Sequence, residues 1–203
     1  MKNSEWRNRL DELEQRFPHE KPKSYNQIIN TFRELVMTKD FEKLSVAEIS
    51  ATAGISRKTF YQYFKDKNEI VEKIVYENII QPMNHMRNLS GSFEFPSLTI
   101  MSWLYEQFYK DRLFYSRISS FTGQNSFFEL MFSYTSDIVY EKFNSLNISE
   151  QEKEYSIYFY ASSHTMVLTK WINDGMQITP KEMASFYEKW TIPAILNYID
   201  NQK

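Results

Sequence analysis

The 203-residue chain contains no cysteine, which excludes disulfides, thiolate zinc sites and cysteine nucleophiles. No apolar run approaches the length that a membrane-spanning helix needs. The N-terminus is charged throughout and lacks the apolar stretch of a signal peptide. These absences fit a reducing compartment, so we expect a cytoplasmic protein that does not associate with membranes.

Catalytic spacings are also missing. The three histidines, His19, His85 and His164, lie far apart in the sequence, and no HExxH, GxSxG or P-loop pattern occurs. Paired carboxylates such as Asp11 and Glu12 fall on a face predicted to be solvated. We therefore predict that the chain is not an enzyme and that it holds neither a metal nor a cofactor.

Glycine is rare, with four in the chain, and each falls between segments of helical periodicity. No strand-like alternation bounded by hairpin turns appears, so we predict an all-α protein. The expected organisation is a helical extension at 1–20, a three-helix domain at 21–81 and a larger helical domain at 82–203. The predicted helices cover 1–17, 24–37, 67–89, 98–120, 124–145, 150–173 and 180–200, with a kink at Pro82.

Charge is distributed unevenly along a chain whose net charge is −2. Residues 21–67 carry nine basic and five acidic side chains, whereas the remainder carries fifteen basic and twenty-one acidic ones. Positive charge is therefore concentrated in the segment that holds the most informative motif, which favours a polyanionic partner there. Lys21 and Lys23 precede this motif, and they either form a basic arm or belong to a linker after a packed helix.

The motif occupies residues 44–67 and consists of two short helices joined by a glycine turn. Ser45 with Glu48 predicts a capping box at the start of the first helix. Gly54 predicts its end, since glycine readily takes positive φ. Ser56 caps the second helix, whose Phe60 and Phe64 are spaced to face inward together.

The opposite face of the second helix is polar, cationic and aromatic, and it has no acidic residue. Its members are Arg57, Lys58, Thr59, Tyr61, Gln62 and Tyr63. Arginine and lysine neutralise phosphates or reach guanine edges, and hydroxyls donate to phosphate oxygens. This arrangement is typical of a helix-turn-helix that reads DNA. The alternative is the solvated face of an ordinary helical hairpin.

The residues of the motif resemble those of the TetR family of bacterial repressors. The resemblance is carried by Glu48-Ile49, Ala53-Gly54-Ile55-Ser56, Thr59-Phe60-Tyr61-Gln62-Tyr63-Phe64 and Lys67-Asn68-Glu69-Ile70. Lys58 stands where the family often has glycine or alanine, and Tyr63 where it often has histidine. Both still offer donors, so the departures bear on sequence preference more than on the mode of binding.

The resemblance implies that Ser24 and Tyr25, at the start of the first helix, contact the DNA backbone. It also implies that Lys67 contacts a DNA phosphate. The candidate DNA-contacting residues are therefore Ser24, Tyr25, Ser45, Ser56, Arg57, Lys58, Thr59, Tyr61, Gln62, Tyr63 and Lys67. The resemblance also implies that residues 21–81 form a DNA-binding domain and that residues 82–203 form a ligand-binding and dimerisation domain. The protein is then expected to be a homodimer that binds an inverted repeat in double-stranded DNA. An effector bound in the C-terminal half would release it from that DNA.

The C-terminal half is rich in aromatic side chains, which fit either an ordinary core or a pocket for a small apolar or aromatic effector. The candidate ligand-binding residues are Trp103, Tyr105, Phe108, Tyr115, Phe128, Phe132, Tyr134 and His164. Rings and small residues repeat along the last two predicted helices, which favours either a dimer interface or internal packing. The candidate interface residues are Tyr158, Ser162, Thr165, Met166, Thr169, Tyr187 and Trp190.

The segment from Trp171 to Met176, followed by Thr179-Pro180, resembles a TetR subgroup that includes regulators of the dihydroxyacetone-kinase type. Two functions follow. The first is a repressor that a small ligand releases from its operator. The second is a regulator whose C-terminal domain binds a partner protein and which acts as an activator or co-activator. Sequence does not fix the sign of regulation.

Overall fold

The structure is a computed structural model that describes residues 21–89, 98–119, 126–144, 146–191, 193–194 and 197–198. These residues form helices joined by turns and include no strand, which confirms the predicted all-α class. The helix predicted for 1–17 lies outside the described residues. None of the described helices combines the length and the apolar composition that crossing a bilayer requires.

The N-terminal head consists of three helices. They are α1 (Lys23–Thr38), α2 (Val46–Thr52) and α3 (Arg57–Tyr63), with a 3₁₀ turn (Phe41–Lys43) between α1 and α2. Their inward side chains are fully buried at Ile28, Phe32, Ile49, Phe60 and Phe64. Because these residues recur at helical spacing, their burial fixes how each helix is rotated about its axis.

Helix α4 connects the head to the C-terminal half and is not uniform. It begins as Lys67–Val75, widens into a π-helical turn at Tyr76–Ile80 and ends as Gln81–Leu89. Pro82 has no N–H to donate to the carbonyl four residues earlier, and that carbonyl lies inside the wide turn. A π turn therefore lies directly before Pro82, and the kink at Pro82 stays a prediction.

The described residues of the C-terminal half form five helices of eight residues or more. They are α5 (Leu98–Lys110), α6 (Arg112–Ser119), α7 (Phe127–Phe143), α8 (Glu150–Asn173) and α9 (Pro180–Trp190). Helix α7 packs along α8, and α5 packs along α9. Side chains of Ser126, Ser149 and Thr179 cap α7, α8 and α9, and Thr179 forms a complete capping box with Glu182.

One long helix was predicted over 98–120, but the chain turns at Asp111 and forms two helices instead. The Asp111 carboxylate pairs with Arg33 of α1, and the Arg33 guanidinium lies 4.5 Å from the centroid of the Phe114 ring. No glycine or proline marks this corner, so local sequence gave no sign of it. The corner brings α6 against α1 and joins the two parts of the molecule.

Candidate nucleic-acid interface

Helix α2 and the turn after it are held by local hydrogen bonds. The Ser45 Oγ accepts from the Glu48 backbone N–H at 3.2 Å, while the Glu48 carboxylate pairs with Lys39 of the preceding segment. The serine half of the predicted capping box is therefore present, but the reciprocal half is wrong, because the Glu48 carboxylate pairs with Lys39 and ties α2 to the end of α1. Gly54 has φ +67°, and the N–H of Ile55 donates to the Ser50 carbonyl at 3.0 Å, which ends α2 in a Schellman motif.

Helix α3 starts at a second serine cap. The Ser56 Oγ accepts from the Thr59 backbone N–H at 3.0 Å and also lies 2.9 Å from the Thr59 Oγ1. On the inner side Phe60 and Phe64 are fully buried, and their ring centroids are 5.9 Å apart. The inner face therefore anchors α3, because turning the helix would expose both rings to water.

The outer face of α3 is exposed in the way that the DNA-reading prediction requires. Arg57, Lys58, Tyr61 and Gln62 are exposed, and 54% of the Tyr61 surface is accessible. Thr59 is half-buried and contributes its hydroxyl to the cap. The helix carries no carboxylate, so its outer face combines cationic side chains with amide and phenol donors.

Tyr25 does not lie on this surface, and the prediction that it contacts DNA is wrong. Only 1% of the residue is exposed, its ring stacks on Phe64 at 5.3 Å, and it meets Tyr63 edge-on at 5.9 Å. Burial raises the pKa of the Tyr25 phenol above its usual range. Tyr25 is a core residue that holds α1 against α3, whereas Ser24 beside it is half-exposed.

Tyr63 and Lys67 lie at the edge of the surface. Tyr63 is half-buried and packs against the core, so only part of its ring faces outward. The Lys67 Nζ donates to three backbone carbonyls of the segment before α2. This ammonium group thus has protein partners where the family resemblance implies a phosphate.

The predicted ligand-binding residues fall into two groups. Tyr105, Phe108, Tyr115 and Tyr134 are buried, whereas Trp103, Phe128, Phe132 and His164 are partly buried. The buried rings pack on their neighbours: Phe108 meets Tyr115 edge-on at 4.8 Å, and the Tyr134 hydroxyl donates to Asn84 of α4 at 2.7 Å. These contacts place the buried group in the protein core, and ligand binding by any of the eight stays a prediction.

His164 is partly buried and forms a polar cluster with two tyrosines. Its Nε2 is 3.3 Å from the Tyr105 hydroxyl, and its ring meets Tyr187 edge-on at 5.1 Å. The Nδ1 atom is buried and has no hydrogen-bond partner among the described residues. Burial lowers the pKa of His164 to about 4, which keeps the imidazole neutral near pH 7. The cluster joins α5, α8 and α9.

The predicted interface residues are only partly on the surface. Tyr158, Met166 and Trp190 are exposed, whereas Thr165 is fully buried inside the protomer, so its assignment to a dimer interface is wrong. Tyr187 packs on His164, and the Thr169 Oγ1 donates to the Thr165 carbonyl at 2.8 Å. An open apolar groove of about 600 Å³ runs along α8, which we call the α8 groove. It is lined by Tyr155, Tyr158, Phe159, Ser162, Ser163 and Met166.

Two sequence families match the chain. The family described as "Bacterial regulatory proteins, tetR family" matches residues 28–74, and "Transcriptional regulator C-terminal region" matches residues 98–191. Together the matches cover more than two thirds of the chain. The first contains α2 and α3, and the second begins at α5 and ends just after α9.

A curated relative and two solved structures are similar. The chain is 28% identical over 91 residues to the HTH-type dhaKLM operon transcriptional activator DhaS of Lactococcus lactis subsp. lactis (strain IL1403), a match covering 45% of this chain and 46% of that relative. The chain thus matches about half the length of this curated relative.

The structure of the dihydroxyacetone kinase operon activator DhaS has a TM-score of 0.57 at 19% identity, covering 89% of this chain and 98% of that chain. The fatty acid degradation regulator FadR from Bacillus halodurans has a TM-score of 0.50 at 15% identity, covering 82% and 93%. At these identities the structures show a shared fold. The two family matches, together with the helix-turn-helix geometry, show that this chain belongs to the TetR family of DNA-binding transcription regulators.

Proposed function

We propose that this protein is a homodimeric regulator that binds an inverted repeat in double-stranded DNA and inserts α3 of each protomer into the major groove. The observation that carries the proposal is the division of α3 into a buried phenylalanine face and an exposed face of Arg57, Lys58, Tyr61 and Gln62. A single helix of this length reaches few base pairs, whereas two symmetry-related helices read two half-sites.

Within the exposed face we assign different roles to different side chains. Arg57 and Lys58 lie in the first turn of α3, where the cap leaves helix N–H groups pointing outward, so both fit phosphate positions. The Gln62 amide has a donor and an acceptor, which suits recognition of an adenine edge. We assign Ser24, Ser45 and Ser56 to the edge of the proposed surface, where their hydroxyls would contact the DNA backbone.

The proposed sign of regulation is repression, with release by a small apolar or aromatic effector in the C-terminal half. Half-buried Trp103, Phe128 and Phe132 are the rings that such a molecule would reach first. Phe128 and Phe132 are stacked at 6.2 Å, and Phe132 meets Tyr158 of α8 at 5.3 Å. An effector bound beside this stack would shift α7 against α8. The shift would change the packing of the elements that contact these two helices.

A second candidate is an activator that engages a partner protein. The curated relative is named as an activator, which favours this alternative. Transcription in vitro from a template carrying the binding site, with and without the protein, separates the two. Fewer transcripts support repression, and more transcripts support activation.

Replacing Gln62 by alanine tests the role of α3 in reading sequence. We expect Gln62→Ala to weaken binding to the preferred duplex by about thirtyfold or more while leaving binding to random duplex nearly unchanged, since each base-reading pair accounts for about 1–3 kcal/mol and the dimer loses one pair in each half-site. Fluorescence anisotropy on both duplexes over a salt series measures this.

Lys58→Ala is the matched control for Gln62→Ala. Because a phosphate contact carries no base information, it should weaken both duplexes alike and reduce the salt dependence of binding. Equal losses on both duplexes for Gln62→Ala would contradict the assignment of Gln62 to base recognition.

A further inference from the structure

Lys67 is the first residue of α4, and its ammonium group is enclosed by backbone oxygens. The Nζ donates to the carbonyls of Phe41 at 2.6 Å, Glu42 at 2.8 Å and Leu44 at 2.8 Å. An ammonium group has three N–H donors and no acceptor, so these three carbonyls use its whole capacity.

The carbonyls belong to the 3₁₀ turn and the residue that follows it, directly before the Ser45 cap of α2. Carbonyls at the end of a helical turn carry partial negative charge, which a cation offsets. The Lys67 Nζ also lies 4.7 Å from the centroid of the buried Phe41 ring. Burial lowers the pKa of Lys67, and the charges of Glu42 and Asp66 oppose that change.

We propose that Lys67 is a positioning residue for DNA recognition and that it is not a phosphate ligand. It ties the start of α4 to the segment that leads into α2, so the α2–turn–α3 unit keeps one orientation relative to α4. The proposal rests on the function proposed above in one respect, which is that this orientation determines how well α3 fits its site.

The tie is continuous with the contact between the head and the C-terminal half. The Phe41 ring meets Phe32 of α1 edge-on at 6.1 Å, and Phe32 meets Phe114 of α6 edge-on at 6.4 Å. Arg33 pairs with Asp111 and lies over the same Phe114 ring. Lys67 therefore contacts one end of a packed row of rings, and the other end of this row lies on α6.

Two substitutions separate positioning from phosphate binding. We expect Lys67→Met to lower the Tm by several degrees and, at temperatures where the variant is folded, to weaken binding to the preferred duplex on the order of tenfold because the head loses its preorganised orientation. The salt dependence should stay unchanged. Lys67→Arg should behave in the same way, since a planar guanidinium cannot aim three donors from one atom at the three carbonyls.

A phosphate ligand gives the opposite pattern. Lys67→Arg would then bind normally, and Lys67→Met would reduce the slope of log affinity against log salt by about 0.9 for each protomer, or about 1.8 for the dimer, with no change in Tm. That result would overturn the proposal. Lys65→Met, at an exposed lysine two residues earlier, is the control and should change neither the Tm nor the ratio of specific to random binding.

Melting curves and limited proteolysis of the head are independent of DNA. If Lys67→Met cannot be purified, Lys67→Arg alone still decides between the two roles. If the wild-type protein shows no sequence preference, the proposed function fails, while the melting and proteolysis of the variants still test the tie. If Lys67 does not tie α4 to the segment before α2, the wild type is still expected to bind its preferred duplex selectively. The failure of one proposal can therefore be told from the failure of the other.

Discussion

Phe159→Glu should convert the proposed homodimer into a monomer and weaken binding to the proposed inverted repeat by at least a hundredfold, because we propose that the two protomers meet at the α8 groove. In the protomer 64% of Phe159 is exposed, and it lines the α8 groove beside Tyr155 and Tyr158. Burying a phenylalanine side chain contributes about 2–3 kcal/mol, and two-fold symmetry counts each loss twice. A carboxylate in the same place must also be desolvated, which adds to the cost of association.

Light scattering after gel filtration measures the change in mass, and anisotropy on the inverted repeat measures the change in affinity. Leu113→Glu is the matched control, because Leu113 is 63% exposed on α6 and does not line the α8 groove. It should remain dimeric. If Phe159→Glu kept both the mass and the affinity of the wild type, the α8 groove would not be the dimer interface.

Acid should destabilise the folded protein through His164. Burial lowers the pKa of this histidine to about 4 in the folded state, against an ordinary value near 6.5. The unfolded chain therefore binds this proton more readily than the folded protein. The contribution of neutral His164 to the free energy of unfolding is thus complete above about pH 6.5 and is lost as the pH falls towards 4. The difference between the two pKa values corresponds to a loss of about 3 kcal/mol in the free energy of unfolding at low pH. About 2 kcal/mol of this is already lost at pH 5.

Carboxylates titrate in the same range, so the measurement is a comparison of variants. Urea unfolding at pH 7 and pH 5 gives the loss of stability on acidification for the wild type and for His164→Gln. The wild type should lose about 2 kcal/mol more than the variant, since glutamine takes up no proton. His85→Gln, at an exposed histidine, should match the wild type. An equal loss in the wild type and His164→Gln would mean that the buried ring does not resist protonation.

The head was predictable because its signals are local. Phe60 and Phe64 share one face through their spacing, Ser45 and Ser56 cap through bonds three residues long, and Gly54 takes the positive φ that its turn needs. Each of these features depends on neighbours within one helical turn. Their agreement located α2 and α3 and the exposed face of α3 from sequence alone.

Features that depend on distant partners were not predictable in the same way. Tyr25 is buried because its ring stacks on Phe64, which directly follows α3, and the corner at Asp111 depends on Arg33, which is 78 residues away. Thr165 was misplaced because α8 has aromatic and small residues on several sides, so periodicity does not reveal which side faces the core. The carbonyl partners of Lys67 also escape sequence reasoning, because they lie more than twenty residues earlier in the chain.

The central claim is that two α3 helices read two halves of one DNA site. Selection of duplexes by the wild-type protein from a random pool tests it most directly, because the outcome does not depend on knowing the operator. We expect enrichment of an inverted repeat whose half-sites are about 10 base pairs apart or a multiple of that, with two protomers on each selected duplex. A pool that remains random after repeated selection, or an enriched site that binds a single protomer, would contradict the account.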